Sequence, residues 1–196
     1  MGVSMKTIQI LIAATVLASA PGLASWTLDN DASQVSFVSV KAGDAGEVHR
    51  FANISGELAA NGNASVIIQL ASVDTLIPLR DERMREILFQ TDLFPTASLS
   101  ANIDMDALNA IAPGDSIDMT TNLKLDLHDQ QIVLPAELIV ARLGERKLMV
   151  SSRKPVIVNA ASVDLAGGIE ALREVANLPS ISKAVPVSFV LTFEEN

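Results

Sequence analysis

The sequence holds no cysteine and no tyrosine, only one tryptophan, six phenylalanines and two histidines. Without cysteine there is no disulfide framework, no thiolate metal site, no thiol nucleophile and no lipid-modified cysteine. His49 and His128 stand alone, whereas a zinc site wants paired histidines or a third clustered ligand. Each reads as an ordinary strand or turn residue with a hydrogen-bond partner. There is no Gly-x-Ser-x-Gly elbow, no phosphate loop and no dinucleotide glycine fingerprint. Basic residues are scarce too: 14 Lys and Arg stand against 23 Asp and Glu, a net charge of −9. Such a chain is repelled by nucleic acid and by anionic membrane surfaces. The carboxylates are scattered along solvent faces. These absences point away from a metal, a cofactor and catalytic residues, and away from nucleic acid as a partner.

Long hydrophobic runs are also missing. The longest, Ile8 to Ala18, is interrupted by Gln9 and Thr15 and is about half the length of a bilayer span. Lys6 precedes it, Pro21-Gly22 ends it, and Gly22 and Ala24 supply the small residues a signal peptidase reads. Residues 1–24 are therefore expected to be a signal peptide cleaved near Ala24, leaving residues 25–196 as one soluble domain. A short leader on a cysteine-free chain fits a bacterial periplasm.

What the remainder does have is alternation. Ile117, Met119, Thr121, Leu123, Leu125 and Leu127 are interleaved with Asp118, Thr120, Asn122, Lys124 and Asp126. That pattern predicts a strand with one apolar and one solvated face, about 35 Å long at about 3.3 Å per residue. The polar run His128–Gln131 predicts a turn, and Ile132, Leu134, Ala136, Leu138 and Val140 resume the alternation as a hairpin partner. Further strands are expected over 34–40, 47–59, 65–73, 98–105, 147–152, 155–159 and 185–193. Two segments break the period: residues 80–89 and 169–177 read as short helices, the second entered through Gly167-Gly168. No repeat or linker divides the chain. The fold class is mainly β: an eight-stranded antiparallel barrel with two short helices. Periodicity alone admits either a core plugged by those helices or an aliphatic tunnel.

The segment 72–95 carries a resemblance. Ser72-Val73-Asp74-Thr75 ends a strand, Arg80-Asp81 opens a charged helix, and Phe94-Pro95 leads into the next strand. This resembles the YceI-like family. Trp26 with Leu28 and Asp29, Ser36-Phe37, Glu47 to Phe51, and Ser55 to Leu58 are similar to that family's opening strands. Residues 155–160, Leu178 to Ile181 and Val185 to Phe189 resemble the close of a cytochrome-associated branch. The departure is the central hairpin, where His128-Asp129-Gln130-Gln131 replaces a glycine-bearing turn and implies a different turn type. The resemblance implies a lipocalin-like barrel, exported to the periplasm, holding a long apolar ligand such as a polyisoprenoid, a quinone or a fatty amide. It also implies a homodimer and, from relatives fused to or encoded beside b-type cytochromes, a membrane cytochrome as partner.

Burial of an aliphatic chain supplies about 0.8 kcal/mol per CH₂ group, so carriage needs no catalytic group. For the ligand wall the expected residues are Phe37, Phe51, Met119, Leu123, Leu125, Leu134, Leu138, Val187, Phe189 and Leu191. The same residue types would equally build a solid core. Arg80 and Asp81 are the candidates for a polar head-group site, because a guanidinium fork suits phosphate or carbonyl oxygens. The competing reading for Asp81 is a helix cap paired with Arg85, four residues on. Two other functions stay open beside the carrier: an accessory of a membrane cytochrome, and an enzyme acting on a small apolar substrate.

Overall fold

Period-two alternation becomes strand over most of each segment where the sequence carries it. The computed structural model describes residues 25–196, and the expected signal peptide, residues 1–24, lies outside the described residues. The strands are β1 (Trp26–Leu28), β2 (Gln34–Lys41), β3 (Ala45–Phe51), β4 (Ile54–Leu58), β5 (Asn63–Gln69) and β6 (Val73–Asp74). They continue as β7 (Thr96–Asn102), β8 (Ser116–Leu127), β9 (Gln130–Gly144), β10 (Lys147–Ser152), β11 (Val156–Asn159) and β12 (Ala184–Glu195). Every pairing is antiparallel. The ring β1-β4-β5-β7-β8-β9-β10-β12 returns to β1, so the eight-stranded barrel is closed. Trp26 makes the closure, facing Leu58 of β4 on one side and Glu195 of β12 on the other. Closure removes the exposed edge that a flat sheet would offer to other chains.

The remaining strands lengthen the wall at one end. There β2 pairs with β12 and β3, β3 pairs with β6, and β11 pairs with β12. The expected single strand over 47–59 is in fact β3 and β4, parted at Ala52-Asn53.

Three short helices close the ends, one more than the sequence pattern shows: α1 (Pro78–Arg83), α2 (Met105–Asn109) and α3 (Ala166–Val175). The extra one is α2, which starts at Met105, the last residue of the strand expected over 98–105, and runs on through residues to which the pattern assigns no element. Ile103 N–H donates to Gly62 O at 2.8 Å and Asp104 then caps the helix, its Oδ1 accepting from the amides of Asp106 and Ala107. The short helix drives Leu108 into the core, 1% exposed. Five residues are too few for helical periodicity to show.

The helix read over 80–89 starts earlier, at Pro78, whose fixed φ suits a first turn. From Met84 to Leu88 it widens into a π turn, with Phe89 N–H donating to Met84 O at 2.8 Å. This turns Met84, Leu88 and Phe89 inward, all buried. Gly167 and Gly168, read as a lead-in, are instead the first turn of α3. A Cβ at Gly168 would lie 3.0 Å from both Ile87 O and Leu88 Cα. Glycine there lets α3 press its backbone against the π turn, which offsets glycine's cost of about 1 kcal/mol inside a helix.

The β8–β9 turn also differs from expectation. Leu127 pairs with Gln130, so His128 and Asp129 alone form the loop, both left-handed with φ of 56° and 57°. That is the two-residue hairpin geometry that usually recruits glycine. Here His128 is held in it by its own ring, which is buried, bonded to Phe89 O and stacked 4.0 Å from Phe94.

Candidate ligand-binding site

The inward faces do not meet at the barrel axis. They enclose a cavity of about 350 Å³, within the range of about 300–1,000 Å³ typical of small-molecule sites. Its wall takes alternate residues from each long strand: Ala64, Val66 and Ile68 of β5, Leu99 and Ala101 of β7, Leu148 and Val150 of β10. Leu58, Ile103 and Leu108 line one end, and Met84, Leu88, Phe89, Ile169 and Leu172 line the end beneath α1 and α3. Those helices therefore roof the interior instead of filling it. The interior is a lined cavity and not a core plugged by the helices.

Nine of the ten wall positions expected from the sequence lie on this cavity: Phe37, Phe51, Leu123, Leu125, Leu134, Leu138, Val187, Phe189 and Leu191. Met119 does not. It is on the right face of β8, but β7 pairs with β8 only from Leu125 by one residue either way, so Met119 has a strand neighbour on the β9 side alone. It is partly buried and packs against the core cluster.

The two expected head-group residues also part company. Arg80 lines the cavity. Asp81 does not, because its carboxylate turns back to the S-x-D-T corner. Its Oδ1 accepts from the Thr75 amide at 2.8 Å and the Thr75 hydroxyl at 2.5 Å. Asp81 is thus a structural cap, though for the turn before the helix and not through Arg85.

Around Arg80 the cavity wall becomes polar. Ser39, Lys41, Glu47, His49 and Arg83 join it there. Glu47 Oε2 accepts from Lys41 Nζ at 2.7 Å and from Arg80 Nη1, while Arg80 Nη2 donates to Thr75 O at 2.6 Å. The Lys41 hydrogen bond, helped by the charge of Arg80, holds the Glu47 carboxyl below its ordinary range against the opposing effect of burial. His49 is 3% exposed, with Nε2 3.0 Å from Ser39 Oγ and its ring 5.3 Å from that of Phe37 in an edge-on contact. Two buried nitrogens here have no hydrogen-bond partner among the described residues, Nδ1 of His49 and Nε of Arg80. The segment after α3 frames the opposite side, Ser182 N–H donating to Val40 O at 2.8 Å and Ala42 N–H to Ser180 O at 3.0 Å.

Reading by apolar residues missed these polar groups, yet the same period contains them. Stepping by two from Phe37 reaches Ser39 and Lys41, and stepping back from Phe51 reaches His49 and Glu47. The register places Phe37 against His49 and Ser39 against Glu47. Among the described residues no three His, Cys, Asp or Glu side chains cluster as a metal site would require.

The sequence matches the YceI-like domain family over residues 26–193. A solved polyisoprenoid-binding domain from Saccharophagus degradans, implicated in plant cell wall breakdown, is similar at 38% identity and a TM-score of 0.85. That alignment covers 87% of this chain and 98% of the other. BcnA of Burkholderia cenocepacia is similar in fold, with a TM-score of 0.66 at 18% identity over 84% of this chain and 98% of that one. Comparison with curated proteins finds no match.

Proposed function

The chain belongs to the YceI-like family, and from that premise we propose that it is a periplasmic carrier that binds a long apolar ligand inside the barrel. The observation that carries this reading is the cavity itself, apolar along its length, with its charged side chains gathered at the end framed by β2, β3, α1 and α3. A polyisoprenoid, a quinone or a fatty-acyl lipid has that same shape: a long hydrocarbon with one polar end. Ten buried CH₂ groups give a gross gain of about 8 kcal/mol, part of it lost to ordering a flexible chain. The relative from Saccharophagus degradans, itself a polyisoprenoid-binding domain, supports the ligand class. The periplasm is proposed from the leader read in residues 1–24. A quinone-class ligand would let the same cavity serve a membrane cytochrome.

Native mass spectrometry of the purified protein tests the carrier reading. A bound species of a few hundred daltons that extracts into organic solvent is the expected result. Leu138 lies on the middle of the wall, 2% exposed, so Leu138→Trp fills the cavity and is expected to abolish that bound species while leaving the circular dichroism spectrum unchanged. A protein that stays empty after incubation with polyprenyl and quinone compounds would overturn the proposal.

A further inference from the structure

We propose that the polar end of the cavity is an oxyanion site, selecting an amphiphile that ends in a phosphate or a carboxylate and binding it through Arg80, Arg83 and His49. This rests on the carrier reading and specifies which carried molecules are preferred.

Charge distribution is the first support. The protein as a whole carries a net charge of −9. Yet the charged side chains on the cavity wall are Lys41, Arg80 and Arg83 against Glu47 alone. A strongly acidic protein has placed a cationic excess at one end of an apolar tunnel. Low-dielectric walls strengthen any charge pairing there.

Partnering is the second. Glu47 engages Lys41 and one end of the Arg80 guanidinium, and the Thr75 carbonyl takes the other end. Arg80 Nε is left buried without a partner. Among the described residues Arg83 has no ion-pair partner, although it lines the same cavity. The His49 ring is 3% exposed, with Nδ1 unpartnered on the cavity wall. A buried donor without an acceptor is destabilising, which ordinarily selects against such a group unless a ligand supplies the acceptor.

Hydrogen-bond polarity is the third. When the Ser39 hydroxyl donates to His49 Nε2, the ring proton resides on Nδ1. Arg80 Nε, the Arg83 guanidinium and His49 Nδ1 are then all donors, and what satisfies them together is a group rich in acceptor oxygens. Guanidinium forks match phosphate and carboxylate oxygens in geometry as well as charge. A neutral alcohol supplies one weak acceptor and leaves the cations uncompensated. Glu47 acts as the internal counter-ion, competing with the ligand for Lys41 and Arg80.

The test uses three molecules with one alkyl chain: hexadecyl phosphate, hexadecanoate and hexadecanol. Their affinities for the purified protein are measured by calorimetry at neutral pH and low salt. Both anions are expected to bind about ten- to a hundredfold tighter than the alcohol, the ratio corresponding to one or two charge-assisted hydrogen bonds. The tighter of the two anions identifies the head group. Arg83→Gln is expected to erase most of that advantage, weakening both anions far more than hexadecanol, and Glu47→Gln to tighten both anions. Equal binding of all three molecules, or an Arg83→Gln variant that weakens all three alike, would overturn the oxyanion site and leave the carrier reading standing. If none of the three binds, the oxyanion site falls, and the carrier reading is decided separately by the incubation with polyprenyl and quinone compounds.

Discussion

Nε2 of His128 lies 3.0 Å from the carbonyl oxygen of Phe89. A carbonyl can only accept, so Nε2 carries the proton, and the bond ties the β8–β9 turn to the residue that follows the π turn. The imidazole also stacks 4.0 Å from Phe94. The roof over the cavity is thereby fastened to the longest hairpin of the barrel. His128→Ala removes the donor from a buried carbonyl and the ring from its stack, and is expected to cost about 1–3 kcal/mol of stability. Chemical denaturation measures it. A loss under half a kcal/mol, well within the range of ordinary surface substitutions, would show that the bond does not secure the roof.

Asp81 and Arg80 are adjacent in sequence and opposite in role. The Asp81 carboxylate holds the Thr75 amide and hydroxyl, and Thr75 is buried. Asp81→Ala is expected to destabilise the protein by about 1–3 kcal/mol with little change in the affinity of whatever ligand the wild type retains. Melting and ligand titration on the same sample separate the two effects. Weakened binding in a variant of wild-type stability would return Asp81 to the head-group site.

His49 makes stability depend on pH. Burial holds the imidazole below its usual range, and the charges of Arg80 and Lys41 add to that, opposed by Glu47 and Asp81. Above about pH 6.5 the ring is neutral in both folded and unfolded chains and contributes no pH dependence. As pH falls below that value the unfolded chain takes up a proton before the folded one does. Stability is therefore lost on acidification, until the folded ring is protonated as well. The Glu47 and Asp74 carboxyls are also lowered, but their contributions persist until the pH falls below the ordinary carboxylate range. A thermal midpoint that drops between about pH 7.5 and pH 5.5 is expected, and His49→Gln should flatten much of that drop. An undiminished drop in the variant would assign the dependence elsewhere.

Much of the wall could be read in advance because strand geometry is local. In β8 and β9 successive side chains point to opposite faces whatever the rest of the chain does, so Leu123 and Leu125 share one side of β8, and Leu134 and Leu138 one side of β9, before any tertiary contact exists. Met119 shows the limit of that reasoning. It has the same phase, and only the short pairing between β7 and β8 decides that it stands outside the cavity. α2 was illegible for a different reason, being shorter than two helical turns and defined by the Asp104 cap and the Gly62 carbonyl rather than by an apolar stripe.

By itself, then, the sequence determined the fold class, the face each long strand turns inward, and the apolar character of what those faces surround. All three follow from the order of polar and apolar residues within single strands. The cavity and its polar end were decided only by tertiary structure. Arg80 meets Glu47 across 33 residues of sequence, and it does so because β6 pairs beside β3 and sets the start of α1 over the β2–β3 hairpin. Whether inward leucines fill a barrel or line a tunnel depends on how far apart closure holds the opposing strands. Strand number and stagger set that distance, and neither is a property of any one strand.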